Sequence, residues 1–215
     1  IEFDHPDQFS TINEVQAAFL KFAQNLPQDA ILIANGDSSK ILEILPKLSC
    51  RVVTYGSSPK NNFRLGKTSQ SPSTTYFWVE HQELSLGEFK LSVPGLHNVS
   101  NAMSAVAACI ELGISVADIK RILPEFSGTK RRFEFLGEKD GTLFYDDYAH
   151  HPTEIKATLL AAKTIFPKKK IICIFQPHMY SRTKALFSEF LHAFGNAQEV
   201  IITDTIKEKQ ESVMN

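Results

Sequence analysis

The apolar positions of the first stretch of the chain fall into two alternating rhythms. Val15, Phe19 and Phe22 recur at helical spacing between Asn13 and Ala23, and Leu26-Pro27 closes the run, so a helix is predicted there. Ala30 to Ala34 is a short apolar strand ended by Asn35-Gly36-Asp37. Residues 38–47 read as a second short helix ending near Pro46. Arg51 to Tyr55 reads as another strand, turned by Gly56-Ser57-Ser58-Pro59. From 61 to 93 the rhythm shortens to alternation, with Thr74 to Val79 and Glu88 to Val93 fitting half-buried antiparallel strands. After Pro94-Gly95 an alanine-rich helix is predicted from about Asn98 to Leu112, with Asn98 as its cap, and a shorter one from Val116 to Leu123 that stops at Pro124.

Ser127-Gly128-Thr129-Lys130 is the best linker candidate and divides the chain into regions 1–126 and 127–215. Beyond it the predicted order is strand (Phe133 to Leu136), turn (Asp140-Gly141), strand (Thr142 to Tyr145), helix (Thr153 to Phe166), strand (Lys170 to Phe175), helix (Thr183 to Phe194) and strand (Glu199 to Thr203). This alternation predicts an α/β protein with a mostly parallel sheet. No internal repeat is visible, and the polar residues from Lys207 onward are expected to be loose.

Composition narrows the function classes. Acidic and basic residues nearly cancel, at a net charge of −1, without the basic surplus of a nucleic-acid binder. Lys168-Lys169-Lys170 precedes a strand and reads as a solvated turn. Cys50, Cys109 and Cys173 are odd in number and widely spaced, which suits free thiols better than a disulfide frame or zinc site. No stretch approaches the roughly 20 apolar residues of a membrane span, and no signal-peptide pattern opens the chain, so a cytoplasmic protein is expected. The abrupt start at Ile1-Glu2-Phe3-Asp4-His5-Pro6 suggests processing or a piece of a longer chain.

Two polar clusters follow predicted strands and precede predicted helices, where open α/β sheets carry their sites. The first is Asp146-Asp147-Tyr148-Ala149-His150-His151-Pro152. The second is Gln176-Pro177-His178-Met179-Tyr180-Ser181-Arg182-Thr183. Capping and turn formation would explain either alone; together they favour one shared crevice. A metal-dependent hydrolase on His150, His151 and His178 is a rival, but adjacent histidines point apart and no cysteine or HExxH helix supports them. Ser181 lacks the glycine-flanked elbow of a serine hydrolase. Gly66-Lys67-Thr68 imitates the end of a phosphate loop, yet Asn61 stands where the first glycine belongs and the surroundings read as β. Asn98 and Asn101 share a helical turn, where amides can read a purine edge, and Lys130-Arg131-Arg132 reads either as a solvated linker or as a source of guanidinium groups suited to phosphate oxygens.

Taken in order, Gly95-Leu96-His97-Asn98 with Asn101, Phe126-Ser127-Gly128 with Arg131-Arg132-Phe133-Glu134, Asp146 to Glu154, and Phe175 to Thr183 resemble successive motifs of the Mur ligase family, across nearly the whole chain. The resemblance implies a central ATPase-type α/β domain, present in part over 1–126, followed by an incomplete Rossmann-like α/β domain over 127–215. It also implies that an amino-terminal UDP-binding domain and the phosphate-loop half of the central domain are missing. The last two strings look like the branch that joins L-alanine to UDP-N-acetylmuramate using ATP and Mg2+, through an acyl phosphate. By this likeness His97, Asn98 and Asn101 lie near adenine and ribose, Arg132 touches an ATP phosphate, and Asp147 meets the ribose hydroxyls. Tyr148, His150, His178 and Arg182 face the amino acid and the muramyl carboxylate, with Arg132, His150 and Arg182 closest to the reaction, and His5 serves a second magnesium. Met179 stands where many relatives carry a basic residue. Two alternatives remain beside this reading: a degenerate relative that binds nucleotide without turnover, and the related tripeptide-recycling ligase. With no phosphate loop among its residues, the chain alone is expected to be inactive.

Overall fold

The computed structural model describes residues 1–71 and 74–205. The chain divides into two compact units, the first comprising 1–3 and 11–127 and the second comprising 4–10 and 128 onward.

In the first unit, α1 (Ile12–Gln24) starts where the Thr11 hydroxyl accepts the Glu14 N–H, a side-chain cap. β1 (Ile31–Asn35) follows, then α2 (Ser39–Leu42), a 3-10 turn at Leu45–Lys47, and β2 (Arg51–Gly56). Three further strands, β3 (Phe63–Gln70), β4 (Thr75–His81) and β5 (Leu84–Leu91), complete a five-stranded sheet in sequence order. β1, β2 and β3 pair in parallel; β3, β4 and β5 pair antiparallel. The antiparallel strands expected over 61–93 are thus present beside the parallel β1 to β3. Gln82 and Glu83 both take positive φ and close a two-residue hairpin, which leaves β4 and β5 no crossover that could run parallel. β3 is the strand whose bounds the alternation did not resolve, because a bulge between Leu65 and Thr68 interrupts its rhythm. That bulge holds Gly66-Lys67-Thr68, so the phosphate-loop imitation lies inside a strand.

The core of this unit forms between the sheet and α3 (Leu96–Glu111), which packs on β1 to β4. Phe63, Phe77, Val79, Phe89 and Leu91 from the strands meet Val99, Met103, Val106 and Ala107 from the helix. Alternation along β4 sends Thr75, Phe77 and Val79 inward, and burying each large side chain contributes about 1.5–3 kcal/mol. α4 (Val116–Ile122) adds Ile119, and a 3-10 turn at Leu123–Glu125 ends the unit.

The second unit opens with the hairpin of β6 (Glu134–Lys139) and β7 (Thr142–Asp146), turned at Asp140-Gly141, both with positive φ. α5 (Pro152–Ile165) leads to β8 (Ile172–Phe175), which pairs in parallel with β9 (Glu199–Ile202). The helix predicted over 183–194 instead starts at Tyr180 and is two short pieces, α6 (Tyr180–Ala185) and α7 (Phe187–Leu191). Leu186, at φ −108 and ψ 24, breaks it, and Leu186 and Phe190 are both buried. Phe190 and Phe194 pack their rings on Phe175. All three cysteines are free thiols, Cys50 buried and Cys109 and Cys173 half-buried. Among the described residues no helix is long and apolar enough to cross a membrane.

Candidate active site

The loop after β7 and the loop after β8 line one cavity of about 680 Å³ in the second unit. Asp146 to His150 contribute from the first, Gln176 and His178 from the second, and the His150 and His178 rings stand 6.4 Å apart between centroids. Residues of β7 and β8 line its sides, and Ile155, Leu159 and Ala162 of α5, spaced as one helical face, line it with Phe166 at the helix's C-terminal cap. The expectation that these two turns meet around a single pocket is met, although β7 and β8 are not hydrogen-bonded neighbours.

Each polar residue of the first loop has an assignable constraint. Asp147 accepts three hydrogen bonds: from Phe133 N at 2.9 Å, Ala149 N at 2.8 Å and the Thr158 hydroxyl at 3.0 Å. It therefore pins the loop to α5 and to the strained Arg131–Phe133 segment, where Arg131 and Phe133 have φ of 57 and 51. Tyr148 is held through its N–H to the Arg131 carbonyl, with the Arg131 guanidinium 4.7 Å over its ring. His150 Nδ1 lies 2.9 Å from the Tyr148 carbonyl, which can only accept, so this nitrogen carries a proton and the neutral ring keeps Nε2 as an acceptor.

His151 is a helix cap. Its Nδ1 accepts the Thr153 N–H, and Glu154 accepts the His150 and His151 N–H groups in return, a capping box with Pro152 at the first helical position. Arg132 donates to the other Glu154 oxygen at 3.3 Å. Burial alone would raise the Glu154 carboxyl, but the two backbone N–H donors and the Arg132 bond outweigh it, joined by His150 whenever that ring is protonated, and hold it below the usual glutamate range.

The remaining predicted residues lie elsewhere. Arg182 is absent from the cavity lining; it is 2% exposed and its Nε donates to Asp4 at 2.7 Å. In the first unit, Asn98 does not cap α3. Gly95, at φ 96, occupies the cap position in a conformation that favours glycine, and the Asn98 amide turns back to the Pro94 carbonyl at 2.6 Å. Asn101 is exposed and donates to Asn98 at 3.4 Å; His97 is half-buried. His5 has φ 53 and sits 3.7 Å from Asp4, but among the described residues no three His, Cys, Asp or Glu side chains cluster to hold a metal. Among the described residues, neither a donor set for magnesium nor one on His150, His151 and His178 is assembled. Two carboxylates escaped the motif reading: Asp4, and Asp37, which accepts from Ser57 N, Ser58 N and Asn61 and locks the end of β1 to the turn after β2.

Residues 1–109 match the model of the Mur ligase middle domain, and residues 131–214 match that of the Mur ligase, glutamate ligase domain. The UDP-N-acetylmuramate–L-alanine ligase of Alkaliphilus metalliredigens is 44% identical over 100% of this chain and 47% of its own length. The enzyme of the same name from Clostridium kluyveri is 40% identical over 98% of this chain and 46% of its own. Among solved structures, the UDP-N-acetylmuramate-alanine ligase of Thermotoga maritima superposes with a TM-score of 0.75 at 30% identity, covering 94% of this chain and 44% of that one. A murein peptide ligase of Psychrobacter arcticus shares the fold, with a TM-score of 0.59 at 21% identity and coverage of 95% and 49%. The chain thus spans about half the length of the curated relatives it matches.

Proposed function

Because the chain belongs to the Mur ligase family, we propose that it is part of an ATP-dependent ligase that joins L-alanine to the carboxylate of UDP-N-acetylmuramate in peptidoglycan precursor synthesis. The observation that carries this reading is the single cavity lined by the two loops whose strings pointed to the L-alanine branch.

A carboxylate is a poor electrophile, so it must be activated before an amine can attack. Its oxygen attacks the γ-phosphorus of ATP, the bond to the β-phosphate oxygen breaks, and ADP leaves behind an acyl phosphate. The L-alanine amine then attacks the acyl carbon, inorganic phosphate departs, and the nitrogen sheds a proton. In such transfers protein groups act by placement and charge neutralisation, and holding two reactants in register supplies about 7–11 kcal/mol of barrier reduction. In the second unit, His150 Nε2 is the acceptor we assign to the amine proton, its tautomer set by the Tyr148 carbonyl. Tyr148 and His178 line the same cavity and are assigned to the two substrates. Arg132 is exposed on one side and assigned to an ATP phosphate, with Glu154 orienting it. Asp147 has three of roughly four acceptor sites occupied, which leaves room for one ribose hydroxyl. In the first unit, His97, Asn98 and Asn101 at the start of α3 are assigned to adenine and ribose.

The test is phosphate release by the full-length protein given ATP, magnesium and UDP-N-acetylmuramate, with L-alanine or a muropeptide tripeptide as the amine. Release with L-alanine is expected, and none from the isolated 215-residue chain, which contains no phosphate loop. Release with the tripeptide alone moves the assignment to the recycling ligase; nucleotide binding without release under either condition makes it a non-catalytic relative.

A further inference from the structure

We propose that Asp4 is a positioning residue, whose carboxylate locks the buried Arg182 guanidinium and His5 together. Arg182 then serves as an interlock for the 4–10 segment and not as a receptor for a substrate carboxylate. Arg182 and Asp4 lie 178 positions apart in sequence, and residues 4–10 belong to the second unit although the chain on both sides of them belongs to the first. Something must hold that excursion in place. The Asp4–Arg182 ion pair does so. Arg182 Nε donates to Asp4 Oδ1 at 2.7 Å, and the same oxygen accepts the His5 N–H at 2.8 Å. The second oxygen, Oδ2, stands 3.7 Å from His5 Nε2.

At its other end Arg182 Nη1 donates to the His178 carbonyl at 3.2 Å. That bond spans Met179, which is itself buried and takes φ 71 at the start of α6, a conformation a side-chain-bearing residue adopts only under constraint. Arg182 thus clamps the strained turn that presents His178 to the cavity, while staying out of the lining itself. A guanidinium 2% exposed with a carboxylate already on Nε has little surface left for a substrate. A buried cation without its partner is costly, which is why the carboxylate must be supplied from within the protein.

The activity part of the test rests on the ligase reading; the exchange part does not. In the full-length protein, D4N, R182M and the double variant are compared by amide hydrogen exchange over residues 4–10 and over the 176–182 loop. Turnover with L-alanine and UDP-N-acetylmuramate is measured alongside. Both single variants are expected to raise exchange in both segments by about tenfold, and the double variant to match the worse single one, because one interaction is removed once. Turnover is expected to fall about tenfold in kcat, with KM for UDP-N-acetylmuramate within about threefold. D4N replaces a partly exposed carboxylate by its isosteric amide, so it keeps the comparison readable if R182M fails to fold. Unchanged exchange in D4N overturns the proposal whatever the kinetics. So does a KM for UDP-N-acetylmuramate raised tenfold by R182M and untouched by D4N, which would make Arg182 a substrate receptor. A parent enzyme without turnover would defeat the ligase reading and leave the exchange result standing as the judge of the interlock.

Discussion

Asp147→Ala is expected to lower the stability of the second unit by about 2–4 kcal/mol and to reduce turnover of the full-length enzyme at least about a hundredfold. The carboxylate gathers Phe133 N, Ala149 N and the Thr158 hydroxyl, three donors from three different segments. Each unsatisfied donor costs about 1–3 kcal/mol, and water entering the half-exposed loop recovers part of the sum. The larger loss is positional. Without the carboxylate the 146–150 loop keeps only its His150–Glu154 tie to α5, and the left-handed Phe133 loses the bond from its N–H that offsets its strain. An asparagine at this position keeps one acceptor oxygen and is expected to fall between parent and alanine. Thermal denaturation read beside phosphate release checks both effects. A variant with parent-like melting and parent-like turnover would mean that this carboxylate neither shapes the loop nor meets a ligand.

The second large effect concerns Glu154 and acid. Its carboxylate accepts the His150 and His151 N–H groups and the Arg132 guanidinium, so Glu154→Ala removes a capping box and an ion pair together and is expected to cost about 1–2 kcal/mol. Glutamine, which also serves in capping boxes, separates cap from charge. Because the folded carboxyl is held below its unfolded value, its ionised form stabilises the fold fully above the ordinary glutamate range. That contribution is lost as pH falls through the depressed folded value. Melting temperatures of parent and Glu154→Gln measured from neutral pH downward should therefore differ by a constant amount at first and converge in acid. Parallel curves throughout would show that the charge contributes nothing to the fold.

Much of this architecture was legible where one interaction dominates. Helical spacing of Val15, Phe19 and Phe22 located α1, and Asp140-Gly141 located the β6–β7 hairpin, because turn chemistry and periodicity are local. Asn98 misled because a favoured cap residue stood three positions inside a helix whose true cap is a glycine with positive φ. The break at Leu186 was hidden for a different reason: burial of Leu186 and Phe190 outweighs the helical pattern around them. His151 shows how a functional string can be structural in part. Pro152 and Glu154 at the first and third helical positions carried a capping signal, masked by the rarity of histidine as the cap. The Asp4–Arg182 pair could not be seen at all, since an ion pair across 178 positions leaves no periodicity, and the motif suggested a different task for the arginine.

The central claim is that the loops after β7 and β8 form the substrate pocket of a ligase, and substrate kinetics of His150→Ala and His178→Ala in the full-length enzyme test it most directly. Each side chain lines the cavity. Truncation is expected to raise KM for L-alanine or UDP-N-acetylmuramate by at least about tenfold, or to depress kcat/KM by as much, while leaving thermal melting near that of the parent. Parent-like constants for both substrates in both variants would contradict the account.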